Sequence, residues 1–204
     1  MNVISGYLRQ AGTAIRFLLL ATIVLGVLYP LAIFGAGQLA APFQANGSIV
    51  KDPAGQPAAS KLMVQAAADE SGTQDPKWFH FRPSAVSWDP ATSSASNLGP
   101  NDAKLLETVT TNRAAVAAAE GISPEKVPAD AVTSSGSGLD PHISKDYATL
   151  QVPRVARAHG LEPQDVQKLV DQQTSNGLEA FLSQPSVNVT LLNLDVARLA
   201  GTRG

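Results

Sequence analysis

The sequence predicts an α+β protein with one N-terminal transmembrane helix and a small α+β exocytoplasmic domain behind it. Three observations lead there. No charged side chain stands between Phe17 and Val50. Arg9 and Arg16 lie on one side of that run, and no Lys or Arg follows on the other until Lys51. Beyond it, short apolar stretches and Pro- and Gly-rich turns mix with helical patterns that carry recognisable caps.

Within the uncharged run, Phe17–Leu39 reads FLLLATIVLGVLYPLAIFGAGQL, longer than the ~20 residues a helix needs to cross a bilayer. Hydrocarbon offers no partner to backbone polar groups, so such a span must be helical. Pro30 removes one helical hydrogen bond and predicts a kink near Val27–Pro30. A buried core helix is rarely apolar on every side over this length. A cleaved signal peptide has a shorter apolar core and a small-residue cleavage site, which is not evident here. A retained anchor is the reading. The positive-inside rule then puts residues 1–16 in the cytoplasm, 17–39 in the membrane and 40–204 outside. Gly26, Gly35 and Gly37 would let a neighbouring helix approach closely.

Charged residues are 16% of the 204 residues, low against the ~25% of soluble domains. The net charge of −2 supplies no long-range field for nucleic acid or anionic lipid. The absence of cysteine removes disulfides, thiolate nucleophiles and cysteine-ligated zinc together.

In the domain, Asn46-Gly47 breaks the chain ahead of a hairpin-like unit: Ser48–Lys51 and Lys61–Gln65 are short apolar stretches, with Asp52–Ser60 as the loop between them. Trp78–Phe81 (WFHF) is an aromatic cluster, and Ser84–Pro100 reads as an extended surface loop. Asn101 or Asp102 caps a helix running to about Glu120, with Leu105, Leu106, Val109 and Val116 on one side and Gly121 as its stop. Ser144 caps a short helix bearing Tyr147 and Leu150. Pro153 then restarts the chain as an early helical residue, and Gly160 ends that piece. Pro163 opens a helix with Val166, Leu169 and Val170 inward. After Gln184-Pro185 the chain begins as a strand and finishes as a helix carrying Leu192, Val196 and Leu199.

Chemistry is sparse. Ser134–Gly138 (SSGSG) could cradle a phosphate on backbone amides, but it lacks the Lys-Ser/Thr ending of a P-loop and the strand-to-helix setting of a dinucleotide fingerprint. A turn is the favoured reading. His80, His142 and His159 have no metal-ligand spacing, and no G-x-S-x-G elbow marks a hydrolase. The residues alone thus read as a membrane-anchored domain without a visible catalytic constellation, and no metal site is expected.

Ordered motifs go further. QANGS at Gln44–Ser48, FHFRPSA at Phe79–Ala85, SNLGP at Ser96–Pro100, TSSGSGLDPHIS at Thr133–Ser144, QVPRVARAHGL at Gln151–Leu161 and PSVNVTLLNLD at Pro185–Asp195 together resemble the C subunit of Kdp-type potassium-transporting P-type ATPases. Val64 and Phe81 stand where that family often has glycine. The resemblance implies a non-catalytic inner-membrane subunit of a complex that hydrolyses ATP to import potassium. Its partners would be a channel-like potassium-translocating subunit, the P-type ATPase subunit and a small single-helix peptide. It also implies a chaperone-like role, raising the nucleotide affinity of the ATPase subunit, with Gln151 at the position of a suggested nucleotide contact. No cofactor is expected to bind tightly; ATP would be met through the partner. The charge-derived topology conflicts with direct ATP contact, since it puts Gln151 outside. Ser135, Gly136, Ser137, Gly138, Leu139 and Asp140 are expected to form a partner interface, the glycines allowing close approach of another chain. The rival readings are a stand-alone membrane-anchored exported binding module and an anchored hydrolase.

Overall fold

The computed structural model describes residues 3–202 apart from positions 53, 70, 71 and 178–182. Two units divide the chain, Met1–Ser48 and Ile49–Gly204. In the first, α1 (Val3–Ile23), a π turn (Val24–Leu28) and α2 (Tyr29–Ala40) follow without a break. The helix therefore starts well before the apolar run, because nothing between Ile4 and Arg16 interrupts it. The disturbance expected from Pro30 takes a definite form. The Tyr29 N–H bonds the Val24 carbonyl, five residues back. Widening the turn by one residue makes room for a ring that would otherwise strike the carbonyl four residues before it. Past Ala41 the chain turns into the single-turn α3 (Pro42–Ala45). The amides of Asn46 and Gln38 bond each other at 3.0 and 3.3 Å across that turn.

In the second unit, β1 (Ile49–Lys51) pairs antiparallel with β2 (Pro57–Ser60), Ile49 opposite Ser60, with a bulge at Val50/Lys51. This corrects the expected hairpin, whose second strand was placed at Lys61–Gln65. Asp52 closes the turn early: its carboxylate accepts the Gln56 N–H at 2.8 Å, and Pro57 is tolerated as the first residue of a strand. α4 (Ala103–Glu120) is capped by Asp102, whose side chain accepts the Lys104 N–H, and stopped by Gly121 at φ 67°. Its inward side is Leu105, Val109, Val116 and Ala117; Leu106, expected there, is 70% exposed.

β3 (His142–Ser144) and β4 (Ser186–Asn188) form a second antiparallel pair, His142 opposite Asn188. α5 (Lys145–His159) is one helix with Pro153 inside it, not the two pieces expected. The missing N–H at Pro153 is outweighed by burial on both sides of it: Tyr147, Ala148, Val152, Val155 and Ala156 all lie in the core. Ser144 caps this helix and Gly160 stops it at φ 63°. α6 (Pro163–Gln173) and α7 (Val189–Gly201) complete the domain. Val166, Val170, Val187, Leu192 and Val196 are fully buried, and the core closes over Phe79 and Phe81.

Candidate functional site: polar frameworks around the aromatic segment

The segment Phe79–Phe81 has no strand partner, yet it runs through the core, where unpaired backbone groups would each be costly. Side-chain amides replace the missing strands. Asn193 of α7 accepts from Phe79 N at 2.9 Å and donates to Phe79 O at 3.0 Å. Gln151 of α5 does the same for His80, at 2.6 and 3.3 Å, and Gln74 for Phe81, at 2.8 and 3.2 Å. Both backbone groups of a residue in an extended chain point to one side, and successive residues alternate. Three consecutive clasps on alternating sides thus imitate the two neighbours of a central strand.

Arg154 locks this arrangement one helical turn beyond Gln151. Its Nη2 donates to Gln151 Oε1 at 2.7 Å, its Nη1 to Trp78 O at 2.9 Å and to Pro76 O, and its Nε to Glu120 Oε1 at 2.8 Å. The pair is nearly sealed, with the Arg154 side chain 11% and that of Glu120 2% exposed. Burial pushes the Glu120 carboxyl up, against the pull of Arg154. Burial, joined by the Arg154 charge, holds His80 down at about 4 from its ordinary 6.5. His80 is therefore neutral at physiological pH, with its Nε2 3.1 Å from Asp75 O.

A second framework pairs two loops. Ser84 Oγ donates to Gly138 O at 2.8 Å and accepts the N–H groups of Val86 and Trp88 at 3.1 and 3.0 Å. Those bonds hold Ser87 and Trp88 at φ 51° and 56°, a region uncommon for residues other than glycine. Ser94 N and Ser93 Oγ both donate to Ser137 O. Arg82 donates to Thr133 O at 3.3 Å and Ser134 O at 3.2 Å, and lies 3.7 Å from Asp140. Burial raises the Asp140 carboxyl, but two hydrogen bonds from His142, with its charge and that of Arg82, outweigh burial and leave it lowered.

The structure places the sequence-predicted residues as follows. Gln151 is 0% exposed and sits mid-helix. In the Ser/Gly loop only Gly136 is exposed, and Ser135 is buried with its Oγ accepting the Gly138 N–H at 2.9 Å. The close approach made by Gly138 is to this chain's own loop: an added Cβ would stand 2.7 Å from Val86 Cγ2 and 2.9 Å from Ser94 O. His142 donates from Nδ1 to Asp140 at 3.1 Å while Asn188 Nδ2 faces Nε2 at 3.3 Å. That ring is held by an amide. Among the described residues no group of His, Asp and Glu is placed to hold a metal ion. Sequence reasoning missed Arg154, Asn193 and Gln74. Arg154 and Asn193 had a signal: they lie inside the QVPRVARAHGL and PSVNVTLLNLD motifs, Arg154 three residues after Gln151.

Fold and site together define a single-helix, membrane-associated α+β protein whose inner polar groups hold its own irregular segments. The family described as K+-transporting ATPase, c chain (KdpC), matches residues 11–198, and this chain belongs to that family. It is 48% identical over 193 residues to the potassium-transporting ATPase KdpC subunit of Kineococcus radiotolerans, covering 94% of each chain. The subunit of the same description from Caulobacter vibrioides is 45% identical over 177 residues, 85% of each chain. That of Pseudomonas putida is 41% identical over 199 residues, 98% of this chain and all of the other.

Proposed function

We propose that this chain is the non-catalytic, single-span subunit of an ATP-driven, high-affinity potassium import complex in the bacterial plasma membrane, required for assembly of that complex. Membership of the c-chain family carries the reading, and the single long apolar helix agrees with it. Its partners are the channel-like potassium-translocating subunit, the P-type ATPase subunit and the small single-helix peptide. The N-terminus is cytoplasmic and the α+β domain outside, from the placement of Arg9 and Arg16. Co-expression and mild-detergent purification test this: the chain should recover both large subunits with potassium-stimulated ATPase activity. Recovery as a lone monomer would favour the stand-alone binding module, for which a polar cleft of about 360 Å³ beside His142, Gln173 and Asn188 is the supporting observation. Orientation is tested by Ser60→Cys in this cysteine-free chain, which an impermeant thiol reagent should label on intact spheroplasts.

The chaperone-like effect on nucleotide affinity acts, in this reading, through the framework. Gln151 would have to release both backbone groups of His80 to touch ATP. Direct contact is the alternative, carried by the family resemblance. Asn193→Ala separates the two. If the framework mediates the effect, Asn193→Ala and Gln151→Ala shift the apparent ATP affinity of the complex alike. A shift confined to Gln151 would support direct contact. Residues 135–140, paired with residues 84–94, form the partner surface in this reading, with Gly136 as its exposed tip.

A further inference from the structure

The helix of the first unit is longer than a bilayer requires. Ile4–Ala40 has 37 residues, about 55 Å at 1.5 Å per residue, against a hydrocarbon core of about 30 Å. The chain turns away after Ala40, and the apolar run begins at Phe17, so the excess falls at the N-terminal end. That extension is two-sided. Residues seven apart differ by only about 20° around a helix, so Arg9 and Arg16 share one face, about 10 Å apart along the axis. Thr13 lies between them, with its Oγ1 donating to Arg9 O at 3.1 Å. Ile4 and Tyr7 lie toward the other side and Leu8 on the flank, exposed to 72%, 67% and 69%. Arg9 and Arg16 are the only charged side chains between residues 3 and 48. Among the described residues neither has an ion-pair partner.

We propose that the Arg9–Arg16 face is a binding site for the phosphates of acidic phospholipids in the leaflet at the N-terminal end of the span. Guanidinium groups bind phosphate in bidentate geometry, and on this unbroken helix the two are staggered through the depth of the headgroup layer beside the span. The apolar run that starts at Phe17 supplies the anchor: it holds Arg16 at the edge of the hydrocarbon and Arg9 about 10 Å further out on the same unbroken helix. The overall charge of −2 hides this site because charges beyond about 10 Å are screened at ordinary salt. A carboxylate-bearing partner chain is the competing occupant; the place of the two arginines at the edge of the apolar run, at headgroup depth, favours the lipid.

The inference rests on the membrane-span reading, and the test keeps the two apart. The full chain is reconstituted into phosphatidylcholine vesicles and its co-flotation measured; failure to float would remove the span and the proposal with it. In floating samples, spin-labelled phosphatidylglycerol and phosphatidylcholine are compared for the fraction held at the protein surface. The wild type should prefer phosphatidylglycerol, and R9Q or R16Q should each reduce that preference about fivefold. R9Q/Q10R keeps the charge but moves one guanidinium about 100° around the helix, and should fall to the level of R9Q alone. No preference in the wild type, a preference surviving R9Q/R16Q, or an undiminished preference in R9Q/Q10R would each overturn the proposal.

Discussion

The aromatic segment and the serine-rich loop beyond it are both irregular, and they are held by opposite means. Phe79–Phe81 is threaded through the core and clasped by three carboxamides, from α5, α7 and the preceding segment, with the Arg154 guanidinium on Trp78 O just ahead of it. Residues 84–94 lie nearer the surface and are held by hydroxyls and by backbone-to-backbone approach at Gly138. In the interior each donor must be answered, so long side chains with fixed forks do the holding. Near water a missing bond is replaced by solvent, and steric fit at one glycine matters more.

Arg154→Ala should have the largest effect. It leaves the Glu120 carboxylate sealed without its partner and frees the carbonyls of Pro76 and Trp78, a loss of about 3–5 kcal/mol. Both tryptophans, Trp78 and Trp88, lie in the domain, so denaturant titration of the full chain in detergent, followed by intrinsic fluorescence, reads this directly. A loss under 1 kcal/mol would show the clasp to be incidental.

Gly138→Ala should follow. The left-handed backbone at φ 70° costs a residue with a Cβ about 1–2 kcal/mol, and the overlap with Val86 and Ser94 adds to it. Gly136→Ala, with nothing within 4 Å of the added carbon, should be close to neutral. Equal losses at the two positions would erase the distinction between steric and solvent-facing parts of the loop.

Gln151→Ala should destabilise by about 1–3 kcal/mol, the penalty of leaving buried backbone groups unanswered. Asn193→Ala and Gln74→Ala should each cost less, because both residues are half-buried whereas Gln151 is fully buried. The pH profile is a finer probe. His80 is held at about 4 in the folded chain, below its ordinary 6.5 in the unfolded one. Over that interval the unfolded state binds more protons, so stability is full above about 6.5 and is lost as pH falls toward about 4. His80→Gln should flatten that part of the profile; an unchanged slope would place the titrating group elsewhere. The smallest stability effect belongs to Gly136→Leu, which should leave the denaturation curve unmoved yet lower recovery of the partner subunits.

Local signals settled a great deal without the structure. The apolar run, the Asp102 and Ser144 caps, and the Gly121 and Gly160 stops depend on neighbours within a few residues, so they are legible along the chain. The same holds for the strand-to-helix passage after Pro185, where Asn188 ends β4 and caps α7. The ordered family motifs were legible for the same reason: they are strings. What only the tertiary structure decided is whatever joins distant positions. Pro153 reads as a helix start until burial on both sides of it is seen to hold one helix together. Gln151 reads as a candidate ligand, and only the structure shows its amide on a backbone 71 residues away. Gly138 reads as part of a surface for another chain, and only the structure shows Val86 and Ser94 of this chain against it. Periodicity and capping report the energy of one segment in isolation, whereas a clasp draws its energy from two segments at once, and no local pattern records the second.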